Sequence, residues 1–173
     1  MDARAVIEDG ISRGRGVVER ALDGLDDSDL AYRPSPEANP IGWMAWHIGR
    51  VEDMHVADLM GEEQLWTAEG FHERFGMPPE GDNFGTGNSL EQVNEVHPPS
   101  VQSLREYYRA VADRTDRYVA TLSDADLDRE LDEPQWTPRP TVGVRLNSLI
   151  HHVAHHGAQI AYLRGLLDGR ADS

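Results

Sequence analysis

Apolar side chains along the first twenty residues return every three or four positions. Val6, Ile7, Ile11, Val17, Val18, Ala21 and Leu22 form one stripe, which predicts a helix from residue 3 to about 23. The stretch DDSDLAYRPSPEANP breaks the pattern with Asp, Ser and Pro and reads as a connector. Asn39 followed by Pro40 is a helix start, Asn capping free amides and Pro suiting the first turn, and the second helix should run to about Met60. Residues 61–98 are rich in Gly and Pro. EEQLWTAEGFHERFG has room for a short helix, and MPPEGDNFGTGNS is loop. A connection of that length inside a compact domain is expected to have a task, such as covering a site.

Periodicity resumes at about residue 99 and lasts to about 122, carried by Val101, Leu104, Tyr108, Val111, Ala112, Tyr118 and Leu122. Ser123 caps one further turn, DADL. DEPQWTPRPTVG is extended or looped, and a last helix spans about Val142 to Leu167. Four long helices with no strand and no internal repeat make the expected fold class all-α: a four-helix up-down bundle with a long irregular insertion between the second and third helices. At 173 residues, the chain is expected to form one domain spanning 1–173.

Charge narrows the choice of partner. The net charge is −15 and the isoelectric point about 4.8. Phosphate backbones and anionic membrane surfaces both need clustered positive charge, so neither nucleic acid nor membrane is an expected partner. The chain contains no cysteine, which removes a disulfide, a thiolate ligand and a cysteine nucleophile. All 16 basic residues are arginine, which removes a Schiff-base or phosphate-loop lysine and reads as the mark of a GC-rich genome. No stretch is apolar enough to span a bilayer, and MDARAVIEDG is not a signal peptide, so the expected compartment is the cytoplasm.

The chemistry concentrates in HHVAHH, residues 151–156, which holds four of the eight histidines. Successive residues of a helix turn by about 100°. Leu149, Val153, Ile160, Leu163 and Leu167 then have a mean direction within roughly 30° of His156, with His152 about 40° from His156. His151 and His155 point roughly 100–140° away from His156. His152 and His156 are therefore the inward pair, and histidines at i, i+4 on one face are a common two-ligand unit for zinc. His151 and His155 belong at the surface or at a homodimer interface. A third ligand must come from another helix, and His47 lies on the apolar face of the second, with Met44, Val51 and Met54 within about 60° of it. Against this stands the plainer reading that an inward histidine is a hydrogen-bonded core residue. His55, His72 and His97 read as solvated or capping. Glu52-x-x-His55 and Glu69-x-x-His72 match the Glu-x-x-His unit of di-iron bundles, but Glu52 lies roughly 100° off its helix's apolar centre. Trp43, Trp46 and Trp136 are candidate pocket walls. Arg50 is a candidate for an anionic group, Arg145 and Gln159 are pocket candidates near the polar margin of the last helix, and Gln159 could orient a ligand or a bound water, each with a plain solvent-exposed alternative.

NPIGWMAWHIGRVEDMHVADL, FHERFGMP and TVGVRLNSLIHHVAHHGAQIAYLRGLL together resemble the DinB/YfiT-like superfamily, most nearly its mycothiol-dependent branch of thiol S-transferases and maleylpyruvate isomerase-like proteins. The resemblance implies a four-helix bundle with a divalent metal held by one imidazole from the second helix and two from the last. Matched residue by residue, these are His47, His152 and His156. One departure is Gly157-Ala158, where the family usually has Arg-Gly after the last ligand. Three imidazoles leave an open metal position, zinc first, with nickel or iron as alternatives. The resemblance further implies a small-molecule thiol, activated as thiolate, and an electrophile as partners. A metal-dependent hydrolase or isomerase on the same triad, or a non-catalytic metal-binding stress protein, are the other expectations.

Overall fold

The computed structural model describes residues 2–171. Its long helices are α1 (Ala3–Leu22), α2 (Ile41–Met60), α6 (Val101–Thr121) and α8 (Val142–Ala171), with a 3₁₀ turn at Asp27–Ala31 and short helices α3 (Leu65–Ala68), α4 (Phe71–Arg74), α5 (Leu90–Glu95) and α7 (Asp124–Leu127). The fold is all-helical, with no strand among the described residues. No helix there is long and apolar enough to cross a membrane.

Local chemistry accounts for most of the boundaries. The Asp2 carboxylate accepts from the Ala5 amide at 2.8 Å and starts α1. Ser100 caps α6 by accepting from the Ser103 amide at 3.0 Å. Ser123 and Asp126 form a capping box at α7. The start of α2 differs from expectation by one residue. Pro40 itself occupies the cap position with extended backbone and no side-chain cap, which leaves Asn39 outside the helix. The insertion holds three short helices rather than one. The unexpected α5 begins with a capping box of Ser89 and Gln92, a Ser-x-x-Gln signal present in the sequence. The last helix runs past Leu167 to Ala171.

Helix order is where the expected up-down alternation fails. α1 packs on α8 and α6, and α2 packs on α6 and α8. Along the first contact Gly10 approaches Ile150, Gly14 approaches Val153, and Val17 and Val18 meet Gly157, so α1 and α8 run parallel. His47 meets His152 while His55 meets Arg145, so α2 runs against α8. Arg4 reaches Ala120 while Arg105 reaches Asp23, so α6 runs against α1. The order is up, down, down, up. α2 and α6 are parallel neighbours, and the chain between them must return the length of a 20-residue helix, about 30 Å. The long connection is the crossover this requires.

The core falls into two joined layers. One gathers Trp43, Trp46, Trp66, Tyr107, Val111 and Ile160, and the other Ile11, Val56, Leu122, Leu146 and Leu149. Beside the first lies a fully buried Asp53. Its carboxylate accepts from the Leu65 and Trp66 amides, the Tyr107 hydroxyl and the Arg114 guanidinium, each at 2.9 Å. One side chain thus starts α3 and ties α2 to α6. Burial beside that carboxylate raises the Tyr107 pKa, keeping the phenol a neutral donor.

Candidate metal centre

Helix α2 is buried on nearly every side from Ile41 to Asp53, so His47 is deeply enclosed. On α8, His152 and His156 are half-buried, whereas His151 and His155 are exposed, their ring centroids 6.1 Å apart. The three inward rings converge. His47 Nε2 lies 3.0 Å from His152 Nε2, and the ring centroids are 4.8 Å (His47–His152), 5.0 Å (His47–His156) and 4.6 Å (His152–His156) apart. One ring nitrogen from each lies within 4.8 Å of those of the other two, the only such group of metal-capable side chains among the described residues. Ligand nitrogens around a tetrahedral ion with bonds of about 2.0–2.1 Å stand roughly 3.3 Å apart. The first pair already has about that spacing, and a His156 ring nitrogen lies within 4.8 Å of both.

Each ring is presented by a neighbour. His47 Nδ1 donates to the Phe84 carbonyl at 2.5 Å, which leaves the Nε2 lone pair facing the other rings. Trp43 stacks on the same imidazole at 4.7 Å and 19°. His156 Nδ1 donates to Gln159 Oε1 at 2.7 Å, leaving its Nε2 free. His152 Nδ1 is buried and has no protein partner. Burial lowers the pKa of His47 to about 4 and that of His152 to about 3, helped by the neighbouring imidazoles; His156 is lowered too, first by burial. All three are neutral at pH 7, the form that binds metal. The donor set therefore fits a divalent ion.

The segment over His47 is held closely. Gly85 has φ +98°, and a Cβ there would lie 2.7 Å from His47 Nδ1 and 3.0 Å from the Trp43 ring. No other residue type fits without moving the strap. Phe84 and Gly85 were not foreseen from the sequence: helical periodicity is silent inside a loop, and the run FGTG signals only a turn.

The DinB superfamily profile matches residues 11–160. The chain belongs to the DinB superfamily. Members of this superfamily often bind metal. A solved structure described as a conserved protein of a locus from Enterococcus faecalis superimposes with a TM-score of 0.88 at 25% identity, covering 98% of this chain and 99% of that one. No curated protein matches the chain.

The remaining candidates of this DinB chain separate into three groups. Trp43 lies against the triad, and Trp46 is fully buried beside it, close to Gly85. Arg50 is also fully buried, but its donors are committed to Gln64 Oε1 at 2.7 Å, the Glu80 and Gly81 carbonyls at 3.2 Å and the Asn83 carbonyl at 3.3 Å, with Trp66 beneath it at 4.6 Å. It fastens the strap and has no donor directed at the triad. Arg145 pairs with Glu133 and with His55, and Trp136 stands exposed beside that pair, away from the three rings. His55 is thus a partly buried, hydrogen-bonded residue rather than a solvated one. His72 likewise bonds the Trp66 carbonyl at 3.0 Å, while His97 is exposed. The di-iron pattern does not assemble: Glu52 pairs with Arg15 at 3.0 Å, and Glu69 is exposed.

Proposed function

We propose that this chain is a divalent-metal protein, with His47, His152 and His156 as ligands, whose activity is S-transfer from a low-molecular-weight thiol of the mycothiol type. One observation carries the reading: three neutral imidazoles from two helices meet with their ring nitrogens together and one side half-open. A divalent ion at three imidazoles with an open position supplies thiolate from a thiol at neutral pH. Zinc suits the set first, with nickel or iron following by availability. The protein's own part is positional. The Phe84 carbonyl fixes the tautomer and plane of His47, Gln159 does the same for His156, and the strap at 80–85, fastened by Arg50, covers His47. The chain has no cysteine, so the sulfur belongs to the substrate. The thiol itself is supported by the likeness to the mycothiol-dependent branch.

Metal content of purified protein, with His47→Ala and His156→Ala, tests the centre. About one divalent ion per chain should fall to a small fraction in both variants. Unchanged metal content in both would remove the triad. Conjugation of a panel of low-molecular-weight thiols to a chromogenic electrophile tests the activity. Metal-dependent turnover with one of them is expected, and none with any would leave hydrolysis, isomerisation or a purely structural metal.

A further inference from the structure

A second feature of the α2–α8 face lies outside the triad. Where the connection after α7 folds back on the start of α8, His55, Trp136, Arg139, Val144, Arg145 and Ser148 line a cleft of about 450 Å³, a size usual for small organic ligands. Its position follows from helix geometry. Ser148 is one turn before His152 on α8, about 6 Å along the axis, and His55 is about 12 Å beyond His47 on α2. The α8 wall of the cleft therefore begins one helical turn from His152, while its far end at Trp136 stands away from the three rings.

Its chemistry is specific. Trp136 is 61% exposed, whereas Trp43, Trp46 and Trp66 are buried, so it is the one indole offering a free face. Pro138, Pro140 and Val144 supply further apolar wall. Arg145 pairs with Glu133, and Arg139 lies 3.6 Å from Asp132, so the charges beside the cleft balance. Arg145 can only donate, so the 2.7 Å contact makes His55 Nδ1 an acceptor. The neutral ring then carries its proton on Nε2, and that N–H makes no hydrogen bond to protein among the described residues. Burial and the Arg145 charge lower the His55 pKa to about 4, so the ring stays neutral and acts as a donor rather than a base.

The geometry points to this cleft as the seat of the electrophile: an uncharged, planar conjugated carbonyl compound, stacked on Trp136, its oxygen accepting from His55 Nε2–H. Aromatic stacking and one neutral donor select flatness and a carbonyl, and the balanced charges disfavour an anion in a chain of net charge −15. In the transfer, the thiol sulfur bonds the β-carbon, the carbon–carbon π pair takes up the thiol's proton at the α-carbon, and nothing leaves. As electrophile seat the cleft rests on the S-transfer reading, but as a binding site it does not.

Nitrogen-15 NMR of the full chain, metal-free and metal-loaded, titrated with trans-cinnamamide, tests the binding site. The Trp136 indole and the His55 Nε2–H signals should both shift in each form. Trp136→Ala should weaken binding about tenfold, and His55→Phe about fivefold, with His55→Gln recovering part. A Trp136 signal that does not move, or undiminished binding to His55→Phe, would overturn the site. Arg145 keeps Glu133 in that variant, and Trp136 is exposed, so both changes leave the fold intact. His156→Ala should lose metal yet bind cinnamamide as the parent does, which separates this inference from the metal reading. With 4-phenylbut-3-en-2-one and the active thiol, Trp136→Ala and His55→Phe should raise KM with little change in kcat. An unchanged KM in both would remove the electrophile assignment. Absence of turnover with every thiol would count against S-transfer, while the NMR result would still judge the cleft.

Discussion

Replacing Gly85 by alanine perturbs the centre through a residue that is not one of its ligands. Two costs arise. The backbone at φ +98° is one that residues with a Cβ rarely adopt, at roughly 1–3 kcal/mol. The new methyl would also stand 2.7 Å from His47 Nδ1 and 3.1 Å from the Trp46 ring, neither of which is a flexible end that can swing aside. The strap must lift, and the Phe84 carbonyl then leaves His47, a further net loss of about 0.5–1.5 kcal/mol. The sum is roughly 1.5–4.5 kcal/mol, measured as a fall in the urea midpoint of metal-free protein at unchanged slope. An unheld His47 ring should also cost about 10–100-fold in metal affinity, read by chelator competition. Gly87→Ala is the control. Gly87 has φ +78° but open space around its would-be Cβ, so it bears the backbone cost alone and keeps metal affinity. If the two variants lose equal stability and both bind metal as the parent does, the strap does not orient His47.

Asp53→Asn should destabilise by about 3–5 kcal/mol, because it leaves the buried Arg114 and Arg50 guanidiniums without their counter-charge. A loss below about 1 kcal/mol in urea unfolding would show that the network is not needed. Metal-free protein should lose stability as pH falls from about 6.5 towards 4. The unfolded imidazoles take up protons below about 6.5, but the folded His47 does so only near 4 and His152 near 3. Stability is therefore intact above the unfolded pKa and lost below it, roughly 3 kcal/mol from His47 alone. The urea midpoint between pH 7 and 4.5 should fall less steeply in His47→Phe, and equal slopes would refute the assignment.

Amphipathic periodicity carried much of the fold because each long helix buries one stripe, and the stripe shows in the residues themselves. The same reasoning picked His152 and His156 out of four histidines, and the structure leaves His151 and His155 exposed. It failed where polar groups go inward. Arg50 and Asp53 occupy buried positions that helical spacing alone does not single out, because their partners are backbone groups of the connection at Leu65, Trp66, Glu80 and Gly81 together with the distant side chains of Tyr107 and Arg114. Trp136 was grouped with the triad on its residue type alone, and nothing in an extended connection fixes where such a side chain lands.

Helix order was not legible either, yet it explains the site. A stripe of apolar residues is the same whether its helix runs up or down. The parallel pairing of α2 and α6 obliges the connection to climb back along α2, and the contacts record the climb. Glu62 bonds Ala57, Leu65 bonds Asp53, Asn83 bonds Arg50, Phe84 bonds His47, and Pro98 finally meets Gly42. A crossover that follows α2 to its N-terminal end passes Asp53, Arg50 and then His47. A simple up-down bundle would join α2 to α6 by a short turn at the far end and leave His47 Nδ1 without its carbonyl. The topology that sequence periodicity cannot see is therefore what places a hydrogen-bond acceptor behind the imidazole and turns its other nitrogen toward α8.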